Sequence, residues 1–94
     1  DLHSDPASPI YNYKVPAYNA SKTALNAYAV HLAYELKDTN IKVNAAHPGS
    51  VLTDMNAAGE LPVEDGAKTS VELATLPASG GTGKFIYLGE ELPW

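Results

Sequence analysis

The sequence predicts an α/β fold in which parallel strands are connected by crossover helices. Helical patterns alternate with short apolar runs along the chain, in the order loop, helix, strand, loop, helix, strand. Only two strand-like runs are present, and two strands rarely form a stable parallel sheet with helices on both faces. We therefore expect these 94 residues to be the C-terminal part of a single larger α/β domain.

The first part of the chain predicts an irregular lead-in over residues 1–15 and one long helix over 16–37. The lead-in is rich in Pro, Ser, Asp and Asn. Pro16 suits a first helical turn, and neither proline nor glycine occurs from 17 to 37. Residues that recur at spacings of three and four predict a core-facing stripe: Tyr18, Lys22, Leu25, Ala29, Leu32 and Leu36. A neighbouring stripe, small at its start, predicts close approach of another helix, including one from a second subunit: Ala20, Ala24, Ala27, His31 and Tyr34.

The second part of the chain predicts two strands separated by a loop and a helix. Residues 41–47 alternate apolar and polar side chains, which is typical of a strand, and Pro48 and Gly49 end it. The segments that follow are a loop over 50–61, a helix over 62–76 that opens with acidic residues, and a strand over 84–88 before an acidic tail.

Composition and charge argue against several classes of protein. A net charge of -5 with six cations does not suit a nucleic-acid surface. The chain has no cysteine, which excludes disulfides and thiolate metal sites and fits a reducing cytoplasm. Its three histidines lack the spacing of metal ligands, so we expect no metal site. No apolar run approaches the ~18 residues that a membrane span needs, so we expect a soluble chain, and the lack of cysteine favours a cytoplasmic location.

Tyr18 and Lys22 form the most informative pair in the sequence. Their four-residue spacing at the start of the predicted helix places the phenol and the ammonium on one face. An ammonium near a phenol favours the phenolate, so Tyr18 is a candidate general acid. Such a pair also occurs by chance on an ordinary helix face, and its context must decide between the two interpretations.

The pair Pro48 and Gly49 also has two interpretations. It can be a plain turn that ends a strand. It also stands after a predicted parallel strand, and ligands of parallel sheets bind outside the carboxyl ends of the strands. The second interpretation makes this turn a candidate binding element.

Three stretches together resemble the C-terminal part of short-chain dehydrogenases/reductases, over roughly positions 14 to 94. They are Tyr18-Asn19-Ala20-Ser21-Lys22, Ile41-Lys42-Val43-Asn44 and His47-Pro48-Gly49-Ser50-Val51-Leu52-Thr53. Three later stretches are similar to the carbonyl-reductase-like subgroup: Glu64-Asp65-Gly66-Ala67-Lys68-Thr69, Leu73-Ala74-Thr75-Leu76-Pro77 and the terminal Pro93-Trp94. The resemblance implies a Rossmann-like, doubly wound parallel sheet.

The resemblance also implies roles for particular residues. Tyr18 would give a proton to a carbonyl oxygen as hydride arrives from a nicotinamide, and Lys22 would favour ionisation of Tyr18 and bind the nicotinamide ribose. The turn that meets the nicotinamide would comprise Pro48, Gly49, Val51 and Thr53. The loop that carries Met55 and Asn56 would face a small carbonyl or alcohol substrate. NADP(H) is favoured over NAD(H) as the cofactor.

The remaining parts of such a site are expected before Asp1, in an N-terminal remainder of the enzyme. They are the glycine-rich phosphate loop, the residue that selects NAD or NADP, and the catalytic asparagine and serine. Ser4 and Ser8 lie near the spacing of that serine, but their surroundings do not look like a strand end. The isolated chain is therefore expected to be inactive.

Two alternatives remain open at this stage. The chain can be a non-catalytic scaffold or interaction segment derived from the family, for which nicotinamide binding is the discriminating test. It can also come from a family member that performs dehydration or epimerisation with the same Tyr-Lys pair.

Overall fold

The computed structural model describes residues 4–8, 11–12 and 14–94. Five elements follow in order: α1 (Pro16–Glu35), β1 (Ala45–Ala46), α2 (Val63–Ala74), β2 (Phe85–Tyr87) and β3 (Glu90–Leu92). The predicted lead-in has neither helix nor strand at the positions described before α1. Its other positions, among them His3 and Tyr13, lie outside the described residues.

Local interactions account for both ends of helix α1. Pro16 occupies the first turn, where its missing N–H has no helical partner. At the other end the Leu36 N–H still donates to the Leu32 carbonyl at 3.0 Å. The Thr39 hydroxyl then donates to the Leu36 carbonyl at 2.7 Å, which turns the chain away from the helix axis. The helix is therefore two residues shorter than the predicted range of 16–37.

The core stripe predicted along α1 is wrong in the first half of the helix. Tyr18 and Leu25 are 61% and 57% exposed, whereas Ala33, which is outside that stripe, is only 6% exposed. Ala33 faces Gly83, where an added Cβ would lie 3.5 Å from the Ala33 Cβ. Because α1 meets the loop before β2 near its C-terminal end, the burial falls there rather than at its start. The small-residue stripe that begins at Ala20 is exposed, and its proposed helix partner stays a prediction.

The strands form one mixed sheet in the order β1-β2-β3. β1 and β2 are parallel, with Ala45 opposite Phe85, and α2 connects them as a crossover helix. β3 is antiparallel to β2, with Tyr87 opposite Glu90. The parallel pairing of the two predicted strands is confirmed, whereas the expectation of an acidic tail after residue 88 is wrong, because that segment forms a third strand. Leu88 and Gly89, both at positive φ, form a two-residue turn that folds the tail back as a third strand.

β1 is shorter than the predicted strand over 41–47. Before β1, side-chain hydrogen bonds take the place of the backbone hydrogen bonds that a longer strand would make. The Asn44 amide nitrogen donates to the Gly81 carbonyl at 3.0 Å, and its oxygen accepts from the Lys84 N–H at 3.0 Å. The Val43 N–H donates to the Thr82 hydroxyl at 2.9 Å. These bonds hold the chain before β1 against the loop before β2, so the parallel pair starts in register.

Few side chains are fully buried in the part of the chain that the structure describes. The buried residues there are Ala33, Gly66 and Thr69. The Cα radius of gyration is 14.4 Å, against about 12 Å for a compact domain of this length. Several large apolar side chains on α1 face solvent, including Leu25 and Tyr28. Neither α1 nor α2 is long and apolar enough to cross a membrane.

Candidate functional site

Tyr18 and Lys22 lie one above the other in the first turns of α1. The Lys22 ammonium is 5.6 Å from the centroid of the Tyr18 ring, as the four-residue spacing predicts. The Ser21 hydroxyl is occupied within the helix, where it donates to the Tyr18 carbonyl at 2.7 Å. The Tyr18 side chain is mostly exposed, so its phenol is accessible to a ligand.

The second group of candidate residues begins with the turn after β1. Gly49 has φ +80°, a conformation that side chains other than glycine rarely adopt. An added Cβ would lie 2.5 Å from the Leu61 Cδ1 and 2.7 Å from the Tyr87 Oη. Both the backbone angle and the close neighbours therefore require glycine at this position. Pro48 precedes it on the exposed side of the turn.

Val51 is held on two sides immediately after this turn. The Ser50 carbonyl accepts from the Leu61 N–H at 3.0 Å, and the Leu52 N–H donates to the Leu61 carbonyl at 2.8 Å. This is a parallel bridge between Val51 and Leu61, and because bonding groups alternate along an extended chain, the Val51 N–H points away from Leu61. The Val51 side chain lies against α2 at Gly66, where an added Cβ would be 2.5 Å from the Val51 Cγ2. The Val51 amide is therefore fixed in direction.

The loop after Val51 closes through Asn56. The Thr53 and Asn56 backbones bond each other, and the Asn56 side-chain nitrogen donates to the Val51 carbonyl at 2.9 Å. The same nitrogen lies 3.3 Å from the Ser50 hydroxyl oxygen. Asn56 thus shapes the loop from within. Met55 at the tip is 99% exposed, and Thr53 is also on the surface.

His47 belongs to this turn, and the sequence analysis predicted for it only a place at the end of a strand. Its Nδ1 accepts a hydrogen bond from the Gly49 N–H at 2.9 Å. Its ring lies edge-on to the Tyr87 ring, with centroids 5.1 Å apart. Burial lowers the pKa of His47 below its ordinary value of 6.5 and favours the neutral imidazole that can accept this bond. The feature of the sequence that could have indicated this hydrogen bond is a histidine two residues before Gly49.

The structure therefore brings the predicted turn and loop residues into one packed unit. Gly49, Val51 and Asn56 are linked through the backbone and through Leu61. Tyr18 and Lys22 stand on a different element, in the exposed first turns of α1. The arrangement provides an accessible phenol beside an ammonium, and separately a rigid backbone amide at the carboxyl end of a parallel strand.

Comparison with known proteins supplies the family. Residues 6–62 match the sequence model of the short chain dehydrogenase family. The chain is 42% identical over 79 residues to short-chain dehydrogenase/reductase 1 of Saponaria officinalis, covering 83% of this chain and 26% of that protein. It is 43% identical over 75 residues to (+)-neomenthol dehydrogenase of Capsicum annuum, covering 79% and 23%. It is 40% identical over 75 residues to salutaridine reductase of Papaver bracteatum, covering 79% and 24%.

The chain belongs to the short-chain dehydrogenase/reductase family. Membership implies a Rossmann-like α/β fold, and β1, α2 and β2 form a parallel crossover unit of that kind. The chain spans about a quarter of the length of the curated relatives it matches.

Proposed function

We propose that the full-length protein that contains this chain is an NAD(P)(H)-dependent oxidoreductase acting on a small carbonyl or alcohol substrate. The observation that carries the proposal is the exposed Tyr18 phenol with the Lys22 ammonium 5.6 Å from its ring. Membership of the short-chain dehydrogenase/reductase family supports a catalytic role for this pair.

The proposed reaction divides the chemistry between the cofactor and this chain. The bound nicotinamide would supply the hydride that adds to the carbonyl carbon, or accept it in the reverse direction. The Tyr18 hydroxyl gives its proton to the carbonyl oxygen, which becomes the alcohol, and takes a proton back when the alcohol is oxidised. Lys22 stabilises the phenolate left on Tyr18 and binds the ribose hydroxyls, so one cation serves both proton transfer and cofactor placement.

The turn after β1 suits a nicotinamide carboxamide. The Val51 N–H points away from its bridge partner and is a fixed hydrogen-bond donor. The Val51 carbonyl accepts from Asn56, and Gly59 packs against it, which holds the residue in place. A fixed N–H donor matches the oxygen of a carboxamide. Pro48, Gly49 and Thr53 complete this proposed contact surface.

The roles of Met55 and Asn56, the cofactor preference and the cellular location are each proposed on a separate observation. The Met55 side chain, fully exposed at the loop tip, is proposed to contact the substrate. Asn56 is proposed to act at the substrate side through the shape of the loop, since its amide is bonded to Val51. Resemblance to the carbonyl-reductase-like subgroup supports NADP(H) over NAD(H). A cytoplasmic location is supported by the absence of cysteine.

The test is cofactor binding by the full-length protein. The protein is titrated with NADPH and, separately, with NADH, and nicotinamide fluorescence is followed. Saturable binding of either cofactor is the expected result, with tighter binding of NADPH. If neither cofactor binds, the oxidoreductase proposal fails and the scaffold alternative gains support, because a scaffold has no need of nicotinamide.

A further inference from the structure

The His47 side chain makes a local hydrogen bond that the proposed chemistry does not require. Its Nδ1 accepts from the N–H of Gly49, two residues further along the chain, at 2.9 Å. A side-chain acceptor that binds the N–H two residues on closes a turn in the way an Asn or Asp side chain does. The neutral imidazole accepts at one nitrogen and carries its proton on the other, so this bond places the proton on Nε2.

The sheet holds the His47 ring in the orientation that this bond needs. The ring lies edge-on to Tyr87 at 5.1 Å with an interplanar angle of 60°, and 6.0 Å from the Phe85 ring. Tyr87 also lies against Gly49, where an added Cβ would be 2.7 Å from the Tyr87 Oη. His47 and Tyr87 together therefore form a clamp on Gly49, the first through a hydrogen bond and the second through its ring.

The clamp holds the start of the turn that leads into Val51. Only Ser50 separates Gly49 from Val51, and the Ser50 carbonyl, which shares a peptide plane with the Val51 N–H, accepts from the Glu60 and Leu61 N–H groups at 3.0 Å. With Gly49 held at φ +80°, the short segment between the two anchors has little freedom. Release of the Gly49 amide would leave the plane that carries the Val51 N–H restrained from the Glu60 and Leu61 side alone, and would widen the range of directions that this N–H takes.

We propose that His47 is a positioning residue for the cofactor. Its imidazole fixes the Gly49 amide and thereby holds the Val51 backbone in the direction that receives the nicotinamide carboxamide. The proposal rests on the proposed oxidoreductase function. His47 has no place among the groups that exchange protons with the substrate, so its effect falls on binding of the cofactor rather than on proton transfer.

Two variants of the full-length protein separate the hydrogen bond from the packing of the ring. His47→Asn keeps an acceptor for the N–H two residues on. His47→Phe keeps an aromatic ring beside Tyr87 and removes the acceptor. We expect His47→Phe to raise the Kd and the KM for NADPH about two- to tenfold, the effect of one lost hydrogen bond. We expect His47→Asn to stay within about twofold of the unsubstituted protein, with kcat changed less than KM in both.

Hydrogen exchange of the Gly49 amide gives a second readout that does not require cofactor. We expect slow exchange in the unsubstituted protein and in His47→Asn, and faster exchange in His47→Phe. Equal Kd values and equal exchange in the two variants would overturn the proposal, because the acceptor would then have no role. If cofactor binding is absent throughout, the oxidoreductase function fails, and positioning of the cofactor fails with it. If exchange differs while Kd is the same in both variants, His47 holds only the turn, and the positioning role is overturned while the oxidoreductase function stands.

Discussion

The Thr69 hydroxyl accepts a hydrogen bond from the Leu88 N–H at 2.9 Å and so joins helix α2 to the turn between β2 and β3. Thr69 is 1% exposed, the most buried polar side chain among the described residues. Leu88 has φ +47°, an unusual conformation for a residue other than glycine. The third strand thus depends on a contact 19 residues away in sequence.

Thr69→Val should destabilise the protein by about 1–3 kcal/mol, because it retains the shape of the side chain and leaves the Leu88 N–H without its acceptor. The measurement is the free energy of unfolding in urea. Thr69→Ser is the matched control, since it keeps the hydroxyl and loses only a methyl group. Equal stability of the Val and Ser variants would show that the hydrogen bond contributes little.

Leu88→Asn should stabilise the protein by about 0.5–1 kcal/mol, because asparagine tolerates positive φ better than leucine does. The two-residue turn of Leu88 and Gly89 has positive φ at both positions, the pattern for which Asn-Gly is preferred. Thermal unfolding of the two proteins provides the comparison. Gly89→Ala is a useful control, since an added Cβ there meets nothing within 4 Å and any loss of stability reports the backbone angle alone.

Tyr18→Phe should lower kcat of the full-length protein by about 10²–10⁴-fold, because the proton donor to the carbonyl oxygen is removed. The Kd for NADPH should change little, because the ring and Lys22 remain. Steady-state kinetics and a fluorescence titration measure the two effects. Tyr34→Phe, a change to an equally exposed tyrosine of α1, is the control and should leave kcat unaltered. Near-normal turnover in Tyr18→Phe would remove Tyr18 from the mechanism.

Lys22→Ala should raise the Kd for NADPH about tenfold or more, the effect of losing a hydrogen bond from a charged group. Turnover should fall as well, because the phenolate of Tyr18 loses its neighbouring cation. Lys37→Ala supplies the control, since the Lys37 ammonium lies 4.0 Å from the Tyr34 ring in a similar exposed pair. A Kd that is the same in the two variants would contradict the ribose contact proposed for Lys22.

The stability of the protein should fall in mild acid through His47. Burial lowers the pKa of His47 from 6.5 in the folded state, and Tyr87 is the titratable side chain that β2 places against it. Above about pH 6.5 both the folded and the unfolded states are neutral at His47, and its contribution to stability is complete. Below that pH the unfolded state binds the proton first, so folding is disfavoured until the folded pKa is passed.

His47→Asn removes the imidazole, so comparison with the unsubstituted protein isolates the effect of His47 protonation on stability. The difference in unfolding free energy between the unsubstituted protein and His47→Asn should shrink or reverse as the pH is lowered from about 7.5 to about 5.5. Contributions from groups that are common to both proteins cancel in the difference. A difference that is flat over this range would show that His47 is protonated equally well in the folded and unfolded states.

Local patterns were sufficient for the helices and for the local geometry of the candidate residues. The absence of Pro and Gly after Pro16 predicted α1 to within two residues of its observed end. The four-residue spacing placed Lys22 beside Tyr18 because helical geometry fixes which residues are neighbours. The Pro-Gly pair predicted the turn after β1, where Gly49 takes a positive φ. These features depend on residues close in sequence, and the catalytic roles assigned to them stay predictions.

The sequence by itself determined the family, the two helices, the Tyr18 and Lys22 pair and the turn at Gly49, because each depends on residue types at short spacings. Only the tertiary structure decided the third strand, the burial of Ala33 instead of Leu25, and the bond from the Gly49 N–H to His47. The turn before the third strand is bonded to Thr69 of α2, and Ala33 is buried where Gly83 approaches it. The His47 ring takes its orientation from Tyr87, 40 residues away in sequence. Contacts of this kind join distant parts of the chain, and no local periodicity encodes which of them form.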